Sequence, residues 1–192
     1  MSEDEYLIFM SDYFTVCKDK AVLEIGPNGG VHTDLIIKQV PKYLELIEPD
    51  INIHYINTID EVDDIIINDI FFVLANPHPI DVVVCCGVLY HLHSPLYLLE
   101  LITNNCDPEY IILDCVVDQN NISFLIEEDN KSGNRQIMPG WKSAGYNLVA
   151  PFAIINQSMC NMGYELIKHG EIRSCEIKSK ENFWVGLWKK VK

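Results

Sequence analysis

The segment Val22-Leu23-Glu24-Ile25-Gly26-Pro27-Asn28-Gly29-Gly30 constrains the fold more than any other stretch of this chain. A short apolar run enters a glycine-rich turn, and a segment with helical apolar spacing (Val31, Leu35, Ile36, Gln39) leaves it. A strand, tight loop and helix in that order bring backbone and a helix start up to a ligand at the carboxyl end of a parallel strand. The spacing of the small residues decides which ligand. A phosphate-binding P-loop needs GxxxxGK[ST], and no Gly-Lys-Ser/Thr occurs. The dinucleotide fingerprint GxGxxG places glycines at 26, 28 and 31, but Asn28 and Val31 occupy two of those positions.

The rest of the chain alternates strand-like and helix-like segments. Apolar positions Leu7, Met10, Phe14 and Cys17 recur at helical spacing behind a Ser2/Glu5 capping box, which predicts a helix over about residues 3–16. Residues 21–25, 43–48, 81–86 and 110–115 read as buried strands. The interval 51–80 is ambiguous. Ile53–Asn57 has the character of a short third strand. Over 59–72 the helical spacing of Val62, Ile65, Ile66, Asp69 and Phe72 competes with the strand preference of consecutive isoleucines, and the spacing predicts a helix. Ser94-Pro95 opens a helix to about residue 105. Residues 118–150 lack periodicity and form a long excursion. Pro151 opens a helix that Gly163 stops, followed by strands at 164–168, with 172–177 as a candidate extension, and at 183–190.

This pattern predicts one α/β domain spanning residues 1–192, with an N-terminal helix within 1–18 and a substrate-side excursion at 118–150. The expected architecture is a Rossmann-like, doubly wound, mostly parallel seven-stranded sheet. Helices cover both faces, and an antiparallel C-terminal hairpin closes one edge. Seven cysteines, odd in number and without CxxC spacing, fit reduced thiols and a cytoplasmic protein. The acidic start and the absence of a long apolar run fit neither a secretory signal nor a membrane span. A net charge of -14 opposes extended contact with a nucleic-acid backbone. The basic segment from Glu165 to Lys192 reads foremost as a lysine-protected edge strand.

What the loop does match is an acid followed by two glycines, Glu24, Gly26 and Gly30. This resembles motif I, [DE]xGxxxG, of the class I S-adenosylmethionine (SAM)-dependent methyltransferases, with Asn28 where many members carry glycine. Asparagine tolerates left-handed backbone angles, so the turn survives. The segment Asp81-Val-Val-Val-Cys-Cys-Gly-Val-Leu-Tyr-His-Leu-His-Ser-Pro-Leu, with its GVLYH core, is similar to the tRNA wobble-uridine carboxymethyltransferase-like group. Asn147, Pro151 and Gly163-Tyr164-Glu165 match a further family pattern before the last strands. The carboxymethyl enzymes carry extra substrate-binding segments that this chain lacks, so their substrate does not transfer.

The resemblance implies SAM as cofactor, with S-adenosylhomocysteine (SAH) as product and no metal. It implies a cofactor set of Glu24, Gly26, Asn28, Gly30, Glu48 on the ribose hydroxyls, Asn57 or Asp60 on the adenine amine, and Gly87 beside the methionine part. Tyr90 and His91 are implied near the acceptor, His91 either as a general base or as a shaper of the pocket. Arg135, Trp141 and Tyr146 in the excursion are candidate acceptor contacts, Trp141 equally a plug for the loop. Adjacent Cys85 and Cys86 point to opposite faces of a strand, which argues against a metal held there with His91 and His93. The expected partner is a small or medium acceptor rather than nucleic acid. A SAM-binding module without catalysis and an RNA methyltransferase docking through the basic end are the rival expectations.

Overall fold

The computed structural model describes residues 3–49, 60–92, 94–117, 124–127, 146–149, 152–173 and 182–191. Helix α1 (Glu3–Phe14) runs into a 3-10 turn at Thr15–Cys17 and leads to β1 (Ala21–Ile25). Then follow α2 (Val31–Ile37), β2 (Tyr43–Ile47), β3 (Asp64–Ile66), α3 (Ile70–Val73) and β4 (Val82–Cys85). After β4 come a 3-10 turn at Leu89–His91 and α4 (Pro95–Leu101), which unwinds into a π-turn at Ile102–Cys106. The remaining elements are β5 (Tyr110–Val117), β6 (Phe124–Glu127), β7 (Tyr146–Val149), α5 (Phe152–Asn161), β8 (Tyr164–Arg173) and β9 (Asn182–Lys190).

Seven strands form one sheet in the order β3-β2-β1-β4-β5-β9-β8. The first five are parallel to one another, and β9 lies antiparallel to both β5 and β8. The expected α/β architecture with its antiparallel C-terminal hairpin is therefore the observed one. The short strands β6 and β7 pair separately as an antiparallel ribbon within the excursion.

Strand parity sorts the core into two layers. Val22, Leu44, Leu46, Val82, Val84, Cys86, Ile112, Val185 and Leu187 face α1 and α2, where Met10, Tyr13, Phe14, Leu35 and Ile36 cover them. Leu23, Ile25, Ile47, Val83, Cys85, Ile111, Leu113, Trp184 and Trp188 face the layer built by α3, α4 and α5. Cys85 and Cys86 thus fall on opposite faces, as adjacent strand-end residues must. Gly186 sits between two tryptophans on β9. A Cβ there would come within 2.3 Å of the Trp184 ring, so the close ring packing requires glycine.

The interval 59–72 departs from the expected helix. Asp64–Ile66 is an edge strand pairing in parallel with Glu45–Ile47, and only Ile70–Val73 is helical. The β-branched run wins because half-buried edge pairing suits its stiff side chains. Asp69, counted as a position on a long helix, caps the short one by accepting hydrogen bonds from the Phe71 and Phe72 amides. The expected third strand at 53–57 lies outside the described residues. No disulfide joins the described cysteines. No helix among the described residues is long and apolar enough to cross a membrane.

Candidate functional site

The strand order reverses between β1 and β4, so their connections leave in opposite directions and a crevice opens at their carboxyl ends. The glycine loop enters this crevice from β1. Gly26 extends the ladder by donating its N–H to Ile47 O at 2.9 Å, then turns with φ 68°. Asn28 has φ 46° and Gly30 φ 79°, and Gly30 precedes the first turn of α2. Three left-handed residues within five leave the turn open toward the crevice. Asn28 adopts the left-handed angle that its side-chain type tolerates at least cost. Asn28→Gly is therefore expected to leave the melting temperature within a few degrees of wild type. Asn28→Val should lose about 1–2 kcal/mol, read as a shifted urea midpoint.

Two buried carboxylates flank the loop. Glu24 and Glu48 are each at most 5% exposed. Glu24 is on the α2 side, where Thr33 Oγ1 donates to its Oε2 at 2.7 Å. Burial raises its carboxyl, offset in part by the Thr33 bond and reinforced by Asp34 and Glu48, to a pKa of about 8. Glu48 follows β2 and accepts the Asn28 amide at 3.4 Å on its Oε2. The two acids thus sit on adjacent strand ends with the loop between them. That arrangement can receive donors from a cationic or hydroxyl-bearing ligand.

The Glu24 shift has a signed consequence for stability. The folded protein holds a proton that the unfolded chain releases near its ordinary value of 4.5. Stability is therefore full below about 4.5 and is lost progressively as pH rises to about 8. Glu24→Gln keeps an uncharged group of similar shape, so its melting temperature should fall less than wild type between pH 5 and about 8 in thermal scans. Parallel curves for the two proteins would show that Glu24 does not carry the effect.

On the β4 side, Gly87 has φ 74° and donates its amide to Asp114 Oδ1 on β5. Burial raises the Asp114 carboxyl to about 6, with the Gly87 bond opposing the shift. Tyr90 and His91 stand on the 3-10 turn after β4, their rings 4.3 Å apart at 49°. The Tyr90 hydroxyl would lie 3.6 Å from a Cβ placed on Gly87, which puts Tyr90 over the turn.

The expected site residues divide accordingly. Gly26, Asn28, Gly30, Glu24 and Glu48 come together at the ends of β1 and β2. Gly87, Tyr90 and His91 come together after β4. Asp60 lies in an exposed turn ahead of β3. Asn57, Arg135 and Trp141 lie outside the described residues, and of Tyr146 only the backbone in β7 is described. Four polar residues at the crevice were not selected from the sequence: Tyr6, His32, Thr33 and Asp114. An acid near the end of an otherwise apolar strand is a readable signal for Asp114. Tyr6 and His32 carry none, because only the packing of α1 on α2 brings the Tyr6 hydroxyl to 2.6 Å from His32 Nε2.

No family model matches the chain, and no curated protein sequence does. Solved structures do match. The N-terminal domain of EvdMO1 with SAH bound aligns with TM-score 0.63 at 16% identity, over 100% of this chain and 83% of that one. The N-methyltransferase NodS from Bradyrhizobium japonicum WM9 aligns with TM-score 0.66 at 13% identity, over 99% and 97%. Magnesium protoporphyrin IX methyltransferase (ChlM) from Synechocystis PCC 6803 with bound SAM aligns with TM-score 0.64 at 8% identity, over 97% and 78%. The chain has the fold of these methyltransferases.

Proposed function

We propose that this chain is a SAM-dependent methyltransferase acting on an O or N of a small or medium acceptor. The observation that supports it most is the pair of buried acids, Glu24 and Glu48, flanking a left-handed glycine loop at the strand-reversal point. Structures of the same fold, bound to SAM or SAH, add to it. In this reading Gly26, Asn28 and Gly30 leave room for the donor. Glu24 faces its ammonium, Glu48 accepts from its ribose hydroxyls, and Gly87 admits its methionine part. Asn57 or Asp60 takes the adenine amine. The whole of residues 1–192 serves as one domain.

When bound, the donor supplies a methyl carbon already activated by a sulfonium. The protein's task is alignment: the acceptor's lone pair attacks the methyl carbon as the carbon–sulfur bond breaks, and the acceptor proton departs. Tyr90 and His91 hold the acceptor, with Arg135, Trp141 and Tyr146 of the excursion as further contacts. In this reading His91 either takes the departing proton or only shapes the acceptor pocket. Among the described residues of the basic C-terminal edge, three cations are engaged within the molecule and so add little to the RNA reading. Lys168 pairs with Asp12, Lys190 with Asp107, and Lys189 lies over the Tyr110 ring.

Titration calorimetry with SAM and SAH tests the reading, and no heat from either ligand sinks it. Binding with no labelled product from methyl-labelled SAM, across small-molecule acceptor pools, leaves the non-catalytic module instead. His91→Ala is expected to bind SAH within about twofold of wild type. Its methyl transfer should fall roughly a hundredfold if His91 is the base. An unchanged transfer rate would remove His91 from that role.

A further inference from the structure

Four side chains from four separate elements converge on the α1/α2 face, at the carboxyl ends of β4 and β5. They are Tyr6 from α1, His32 from α2, Cys86 just after β4 and Asp114 from β5. One ligand atom each from His32, Cys86 and Asp114 lies within 4.8 Å of the other two. Cys86 and Asp114 are both 5% exposed. The His32 ring is stacked on Phe14 at 5.8 Å and 14°. Two further groups fix the donors. Tyr6 meets His32 Nε2 at 2.6 Å, and the Gly87 amide is bonded to Asp114 Oδ1. Oriented imidazoles and hydrogen-bonded carboxylates are the surroundings that metal-binding side chains require.

We propose that His32, Cys86 and Asp114 form a zinc site. One imidazole, one thiolate and one carboxylate make a mixed N, S, O donor set. That set suits Zn²⁺ and is wrong for Mg²⁺ or Ca²⁺, which take oxygen ligands. The geometry is close to what the ion needs. Three atoms no more than 4.8 Å apart all lie within 4.8/√3, about 2.8 Å, of a common point. Inward shifts of about 0.5–0.8 Å would bring them to zinc bond lengths of roughly 2.0–2.3 Å. On binding, Cys86 gives up its thiol proton to solvent and the thiolate bonds the metal. Three protein ligands leave a fourth position for water. The ion would tie α2 to the ends of two strands and stabilise the fold by linkage.

The test is titration of chelator-treated protein with Co²⁺ and then Zn²⁺. Wild type is expected to take up one equivalent of Co²⁺ with a near-ultraviolet thiolate-to-cobalt band that Zn²⁺ removes. Cys86→Ser should lose that band, while Cys160→Ser, altered at an exposed cysteine, should keep it. His32→Gln, an independent variant should Cys86→Ser fail to fold, should weaken Zn²⁺ binding at least tenfold, and Tyr6→Phe roughly tenfold. Two results overturn the site: no uptake at one equivalent by wild type, or a thiolate band that survives in Cys86→Ser. Calorimetry with SAH on the same preparation separates this inference from the proposed function, since SAH binding without metal uptake overturns the zinc site alone.

Discussion

Gly26→Arg is expected to abolish SAH binding. Calorimetry should record heat for wild type and none for the variant, a weakening of more than about a hundredfold, or roughly 3 kcal/mol. Two effects combine. Position 26 has φ 68°, which a side chain adopts at a cost of about 1–2 kcal/mol. In the proposed site the added side chain would also fill the room left for the ligand, and its cation would oppose the ammonium that SAH carries. The fold should persist, because the turn borders the crevice and not the packed layers. Equal SAH affinity in wild type and variant would place the ligand somewhere other than the glycine loop.

The largest stability effect is expected at Trp188. This side chain is fully buried, packs at 5.2 Å against Trp184, and donates its indole N–H to Asn156 Oδ1 at 3.1 Å. Trp188→Ala removes the ring and orphans an acceptor on α5. The expected cost is about 3–5 kcal/mol, a large share of the 5–15 kcal/mol that a typical domain has. The urea midpoint should drop accordingly. The control Ile8→Ala, at a side chain 72% exposed, should stay within about 0.5 kcal/mol. A Trp188→Ala midpoint near wild type would mean that the two-tryptophan layer does not anchor α5 to the sheet.

Much of this architecture was legible because β1, β2 and β4 are short, apolar and bounded by glycine or proline. The glycine loop could be read from three residues, since few backbone paths join a buried strand to a helix through Gly26 and Gly30. Asn28 was the doubtful member, and its φ of 46° matches what asparagine permits. The stretch around Ile65 was misread because periodicity over a dozen residues counted Asp69 as one more helical position. Its side chain instead begins a four-residue helix. Neither reading could be separated without the partner strand, since the pairing of Ile47 with Ile66 is a long-range contact. The same limit applies to the His32, Cys86 and Asp114 cluster. Its members are far apart in sequence, each ordinary in its own segment, and become neighbours only when α2, β4 and β5 share one face.

The order of strands in the sheet is not their order of synthesis. β9, the latest strand in the chain, lies inside the sheet between β5 and β8. During translation the β5 edge from Tyr110 to Val117 therefore waits, its ladder groups unpaired, until residues 182–190 have left the ribosome. β8 emerges earlier but has no place to add until β9 arrives. Assembly of this half of the molecule is thus a late, non-local event with a high contact-order cost. Meanwhile the nascent chain presents an apolar edge of the kind that chaperones shield and that other chains can pair with.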